Sequence, residues 1–190
     1  MDVFETVQTV LAVRAFQDKP IPADVIRRII ESAWLTGSSM NGQPWHFVVV
    51  ENRDTLRQLG ALAKTGPYVA QASLAVVVAI EGTRFAVSDA SRAIQSMILT
   101  AWSEGIGSNW VGFLGLTEVK SLLGIPDDLD VLAIDRLGKD VKACNLVFHW
   151  TPLSLGLEAK NTPGLAPKEA SKQTGKIKNN LGEGGFTCCF

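Results

Sequence analysis

The sequence is poor in the side chains that usually carry protein-borne chemistry. Its 190 residues include two histidines, three cysteines and one tyrosine. Cys144, Cys188 and Cys189 form no CxxC pair, and an odd count gives no disulfide framework, so a reducing, cytoplasmic setting is expected. His46, between Trp45 and Phe47, reads as a structural histidine at a strand start. His149 lies in a different kind of sequence, and without a His, Cys or carboxylate cluster at ligand spacing no zinc site is expected. There is no GxSxG elbow for a serine hydrolase and no Gly-Lys-Ser/Thr for a phosphate loop. Gly105-Ile106-Gly107 lacks the third glycine of a dinucleotide fingerprint, with Trp110 in its place, and reads as a helix cap plus tight turn. An excess of one charge is also missing. The 18 Lys and Arg nearly balance 19 Asp and Glu, which argues against nucleic acid or an anionic membrane as partner. The longest purely aliphatic run, Leu74 to Ile80, is far too short to cross a bilayer. Met1-Asp2-Val3-Phe4-Glu5 is acidic where a secretory leader would be basic. An enzyme so equipped would borrow its reactivity from a bound cofactor.

What is present is a foldable chain, 46% apolar and long enough for one ordinary domain with a real core. Apolar spacing predicts a helix over Asp2 to Leu11, then extended chain from Val13 to Phe16, stopped by Lys19-Pro20-Ile21-Pro22. A second helix follows Pro22, with Val25, Ile26, Ile29, Ile30, Ala33 and Trp34 inward, and Gly37 ends it. His46 to Val50 reads as a strand, Arg53 to Lys64 as a helix, and Ser73 to Ile80 as a central strand buried on both faces. Ser88 or Asp89 can cap the next helix. Its Ala90, Ala93, Ile94, Met97, Ile98, Ala101 and Trp102 make a stripe wide enough for a core or a second subunit. A loop-to-strand signal covers Gly107 to Phe113, a short helix Thr117 to Leu123, and a last strand Leu129 to Ile134. Four or five strands among helices predict an α+β layered domain over residues 1–137. Within residues 138–190, the stretch 156–185 is rich in Gly, Pro and Lys without apolar periodicity, and 138–190 reads as a diverged segment, irregular or partner-wrapping.

The densest signal is the loop Ser38-Ser39-Met40-Asn41-Gly42-Gln43-Pro44-Trp45, which runs straight into a strand. Two hydroxyls, two carboxamides and a Trp can offer many neutral hydrogen bonds to a flat polar ligand. Read alone, Asn41 and Gln43 also suit turn chemistry. Arg14 stands by itself in the apolar stretch Leu11 to Phe16. It is either a donor fork for an anionic or carbonyl-rich ligand edge or a surface arginine on an extended segment.

Taken together these positions resemble the nitroreductase family. Ala12-Val13-Arg14-Ala15-Phe16 with Lys19-Pro20-Ile21-Pro22 is similar to its N-terminal flavin-contact segment. Gly37 through Trp45 resembles its Pro-Ser-x-x-Asn-x-Gln-Pro-Trp loop, with Gly37 where Pro is usual. Asp89 through Trp110 looks like its long helix followed by Gly-x-Gly-x-x-Trp, and Leu123-Gly124-Ile125-Pro126 matches a late signature. The resemblance implies a nitroreductase-like α+β fold with a mixed central sheet, and a homodimer with the long helix in the interface. It also implies FMN as cofactor, NADH or NADPH as donor, and nitro compounds, quinones or similar small molecules as acceptors in a ping-pong reaction. Arg14, with Val13 and Ala15, would meet the flavin pyrimidine edge. Ser38, Ser39, Asn41 and Gln43 would come from the other subunit, and Trp110, Val111 and Gly112 would face the N5 region. No catalytic side chain is required.

The resemblance has departures. The family's Arg-Arg-Ser, which helps hold the flavin phosphate, is replaced by Val10, Leu11 and Ala12. Lys139 and Lys142 are substitutes by position only, and Asp135-Arg136 stand where apolar residues are usual. These departures motivate a second reading, a flavin-binding or sequestering protein without turnover. A change of reaction, to dehalogenation or flavin fragmentation, is disfavoured because no lid-like insertion separates Ile80 from Ser88.

Overall fold

Local chemistry sets most of the element boundaries. We describe residues 1–63, 66–112 and 117–139 from a computed structural model. The Asp2 carboxylate accepts from the Glu5 N–H at 2.8 Å and starts α1, Val3–Thr9. Helix α2, Ala23–Trp34, begins straight after Pro22. The Asn52 side chain accepts from the Asp54 and Thr55 N–H groups, each at 3.0 Å, to start α3, Arg53–Leu62. The long helix α4, Ala86–Ser103, starts earlier than its polar residues suggest. Phe85 is the N-cap, without a side-chain bond, and Ser88 and Asp89 lie inside the first turns. The apolar stripe already begins at buried Ala86, so packing rather than capping sets that start. A short helix α5 covers Thr117–Leu123. Two single 3-10 turns, Ser39–Asn41 and Pro67–Gln71, have no periodicity by which sequence could reveal them.

The strands are β1 (Trp45–Val50), β2 (Leu74–Glu81), β3 (Ile106–Val111) and β4 (Leu129–Lys139), in the order β1-β2-β4-β3. Strand β2 is central and buried along nearly its whole length, as its aliphatic run requires. Among the described residues every ladder is antiparallel, so the sheet is not the mixed one expected; the parallel pairing found there is the bridge between Ala12 and Ser108. Strand β4 runs on to Lys139, past the expected end at Ile134, because Leu137 pairs with Leu74 and Lys139 with Ile106. The boundary expected after Leu137 otherwise falls on residues outside those described.

Helices pack on both faces of the sheet. Ile29, Ala33, Ile94 and Met97 of α2 and α4 close over Val76 and Val78. Leu56, Leu59, Val69 and Val119 close over Ala75 and Val77 on the other side. Each buried Val, Leu, Ile or Met among these contributes about 1.5–3 kcal/mol relative to exposure. Trp34 breaks the expected stripe of α2: it is 64% exposed. Among the described residues no helix is long and apolar enough to cross a membrane.

Candidate functional site

The segment after α1 lies flat on the β3–β4 edge of the sheet. The Val13 N–H donates to the Ser108 carbonyl at 2.8 Å, and the Gln17 N–H to the Lys139 carbonyl at 2.6 Å. Two glycines make this approach possible. A Cβ on Gly107 would meet the Val13 side chain at 2.5 Å, and one on Gly138 would meet the Phe16 ring at 2.6 Å. Val13 is buried, while Arg14 and Ala15 face solvent. Beneath them lies Arg136, fully buried. Its Nη2 donates to the Val13 carbonyl at 3.2 Å and its Nη1 to the Arg14 and Tyr68 carbonyls at 3.3 Å each. Nε and Nη2 both reach the Asn109 Oδ1. Its guanidinium also lies over the rings of Tyr68 and Phe16, 4.7 and 5.2 Å from their centroids. Burial, together with the like charge of Arg14, pushes its pKa down to about 10, which leaves it charged at neutral pH.

The 38–45 loop is built differently. Asp89, 1% exposed near the start of α4, accepts from the Ser39 N–H at 2.9 Å, from the Ser39 hydroxyl at 3.0 Å and from Arg92. Burial works to raise its pKa, but the Ser39 N–H, Arg92 and the Ser39 hydroxyl together hold it below its ordinary value. The Ser38 hydroxyl oxygen accepts from the Gln43 N–H at 2.9 Å. Met40, Asn41 and Gln43 all have positive φ, of 53°, 55° and 46°. Non-glycine residues there cost of order 1–3 kcal/mol each unless the surroundings hold them. The side chains of Asn41 and Gln43 are exposed, so their carboxamides face solvent.

These two groups do not meet within one copy of the chain. The loop enters β1 at Trp45, which pairs with Ile80 of β2. The segment sits by Ser108, which pairs with Leu137, itself opposite Leu74 at the other end of β2. Six residue steps of strand separate the two ends, about 20 Å. Trp110, Val111 and Gly112 close β3 on the segment's side of the sheet. Trp110 is half-buried and its Nε1 donates to the Gly112 carbonyl at 3.3 Å, Val111 is buried, and Gly112 has φ 89°. A cleft of about 460 Å³ lined by His46, Glu81, Leu123, Ile125 and Asp128 contains none of the expected site residues. His46 there lies 3.5 Å from the Glu81 carboxylate.

Sequence reasoning missed Arg136, Asn109, Tyr68 and the role of Asp89. The one visible signal was the oddity of Asp135-Arg136 in an apolar strand. Lys142, His149 and the three cysteines lie outside the described residues.

The family model described as Nitroreductase family matches residues 11–81 and 70–139. A protein of Archaeoglobus fulgidus, provisionally named NADH dehydrogenase/NAD(P)H nitroreductase, is 32% identical over 153 residues, covering 74% of this chain and 88% of that one. A protein of the same provisional name from Methanothermobacter thermautotrophicus is 31% identical over 147 residues, covering 73% and 77%. Among solved structures, a nitroreductase with bound FMN from Bacteroides fragilis is 31% identical with a TM-score of 0.67, covering 77% of this chain and 92% of that one.

Proposed function

Since the chain belongs to the nitroreductase family, we propose that it is a cytoplasmic, flavin-dependent oxidoreductase. In this reading two copies bind FMN between them and pass electrons from NADH or NADPH to a small acceptor, such as a nitro compound or quinone, in ping-pong order. One observation carries it. The exposed cation Arg14 and the exposed carboxamides of Asn41 and Gln43 sit at opposite ends of the sheet, as two halves of a site that a second copy would complete.

The described residues fit the ring system of FMN. Arg14 would lie along the pyrimidine edge, where negative charge gathers on reduction and a fixed cation stabilises it. Val13 and Ala15 flank it on the same extended segment. From the other copy, Ser38, Asn41 and Gln43 would donate. Ser39 has both donors engaged by Asp89 and retains acceptor capacity, which suits a ribityl hydroxyl. Trp110, Val111 and Gly112 would line the N5 side, with the positive φ of Gly112 letting backbone come close. Bound FMN supplies the electron transfer itself, so no side chain of the chain has to act as acid, base or nucleophile. The phosphate is less well served. Val10, Leu11 and Ala12 carry no donors on their side chains, and among the described residues Lys139 is the candidate cation.

Exposed apolar residues support the homodimer. Val3 and Phe4 of α1 are 79% and 70% exposed, and Leu35 after α2 is 80% exposed. Like Trp34, they are apolar side chains that water disfavours and a second copy would cover. The poor phosphate site supports the second reading, a flavin binder without turnover.

One experiment separates these readings. The purified protein should be yellow, release FMN on heating as identified by mass, bleach with NADH or NADPH without oxygen, and recover its colour with a nitroaromatic or quinone. A yellow protein that neither donor bleaches supports sequestration. A colourless protein that takes up no added FMN overturns both.

A further inference from the structure

We propose that Arg136 is the positioning residue for Arg14: a buried guanidinium clamps the main-chain carbonyls of Val13 and Arg14 from below and so aims the exposed Arg14 side chain outward. The inference rests on the proposed flavin site for its functional part, and on geometry alone for the clamp.

Arginine carries five N–H donors in a planar fork. Here all five have acceptors: the carbonyls of Val13, Arg14 and Tyr68, and Asn109 Oδ1 twice. The rings of Phe16 and Tyr68 fix the plane of the fork. A charge this deep normally has a carboxylate against it. No described carboxylate bonds Arg136. Its neighbour Asp135 pairs with Val76 and Trp110 and lies on the opposite face of the sheet, toward α4. Carbonyl oxygens therefore do the work of a counter-ion, and two of the three belong to the segment that carries Arg14. The segment's other backbone anchors include bridges at Ala12 and Phe16 and N–H bonds from Val13 and Gln17. Losing the fork would free the main chain between Val13 and Gln17, where Arg14 stands.

Arg136→Lys is the informative substitution, because it keeps the positive charge and loses the fork. Two measurements are made on the full chain. In the first, amide exchange followed by NMR should speed up by about tenfold or more at Val13 and Gln17 in Arg136→Lys, and stay unchanged at Ile29 and Val76. In the second, titration with FMN should show Arg136→Lys and Arg14→Ala each weakening binding by about tenfold. The double variant should then be no weaker than Arg14→Ala, since Arg136 acts through Arg14. If Arg136→Lys does not fold, Asn109→Ala serves instead, removing two of the five bonds without touching the segment. It should raise exchange at Val13 in the same direction. Unchanged exchange at Val13 and Gln17 would overturn the clamp. Additive losses in the double variant would overturn its action through Arg14. Failure of the unsubstituted protein to take up FMN would sink the flavin reading instead, and exchange would still decide the clamp.

Discussion

Asp135 and Arg136 are neighbours with opposite fates. Strand alternation sends them to opposite faces of β4, and all five donors of Arg136 are used while both carboxylate oxygens of Asp135 are buried without a partner. Burial pushes the Asp135 pKa up from 3.8 to about 7, against the pull of Arg136. Between pH 3.8 and about 7 the folded chain holds a proton that the unfolded chain has released, so stability falls as pH rises through that window. Asp135→Asn removes this dependence. We expect it to melt at a higher temperature than the parent protein at pH 8, by an amount worth about 2 kcal/mol or more, and close to the parent at pH 4. Calorimetry at both pH values checks this, and parallel curves for the two proteins would show that Asp135 does not titrate as argued.

Among the elements, the 38–45 loop depends on α4 for its shape. Met40, Asn41 and Gln43, all at positive φ, would not hold that shape alone; the buried Asp89 carboxylate holds it through Ser39. Asp89→Asn should lower stability by about 1–3 kcal/mol at pH 7 and open the loop to limited proteolysis near Met40. Because the folded pKa lies below 3.8, the Asp89 contribution is fully present above that value and is lost as pH falls further, through the folded pKa. The acid limb of the melting profile should therefore flatten in Asp89→Asn, and an unchanged limb would assign acid sensitivity elsewhere. This loop also marks where sequence was legible and where it was not. Helices α2 and α3 and strands β1 and β2 follow from apolar spacing, and the loop from its composition. The start of α4 was misread because Ser88 and Asp89 have cap chemistry, yet Asp89 serves a distant loop and the helix begins on Ala86. The end of β4 was misread because two charged residues look like a break, although packing buries both.

At the scale of the molecule, the ordered motifs pointed to the family, and helices packed on both faces of a sheet bear out the α+β class, with an antiparallel sheet in place of the mixed one expected. The site was legible only as a set of positions. Nothing along the chain says that Val13–Ala15 and Ser38–Gln43 end up about 20 Å apart, since strand register is a long-range outcome of pairing through β2. That separation has a genetic corollary. In the proposed dimer, a chain carrying Arg14→Ala and a chain with a damaged loop, Asn41→Ala with Gln43→Ala, would each hold FMN more weakly as a pure assembly and stay pale at limiting FMN. Co-expressed, they would form hybrids in which one copy's intact arginine meets the other's intact carboxamides. Such hybrids should recover flavin in one of their two clefts, so a yellow colour returning only in the mixture is the expected outcome, and a mixture as pale as its parents would mean that each chain builds its cleft unaided.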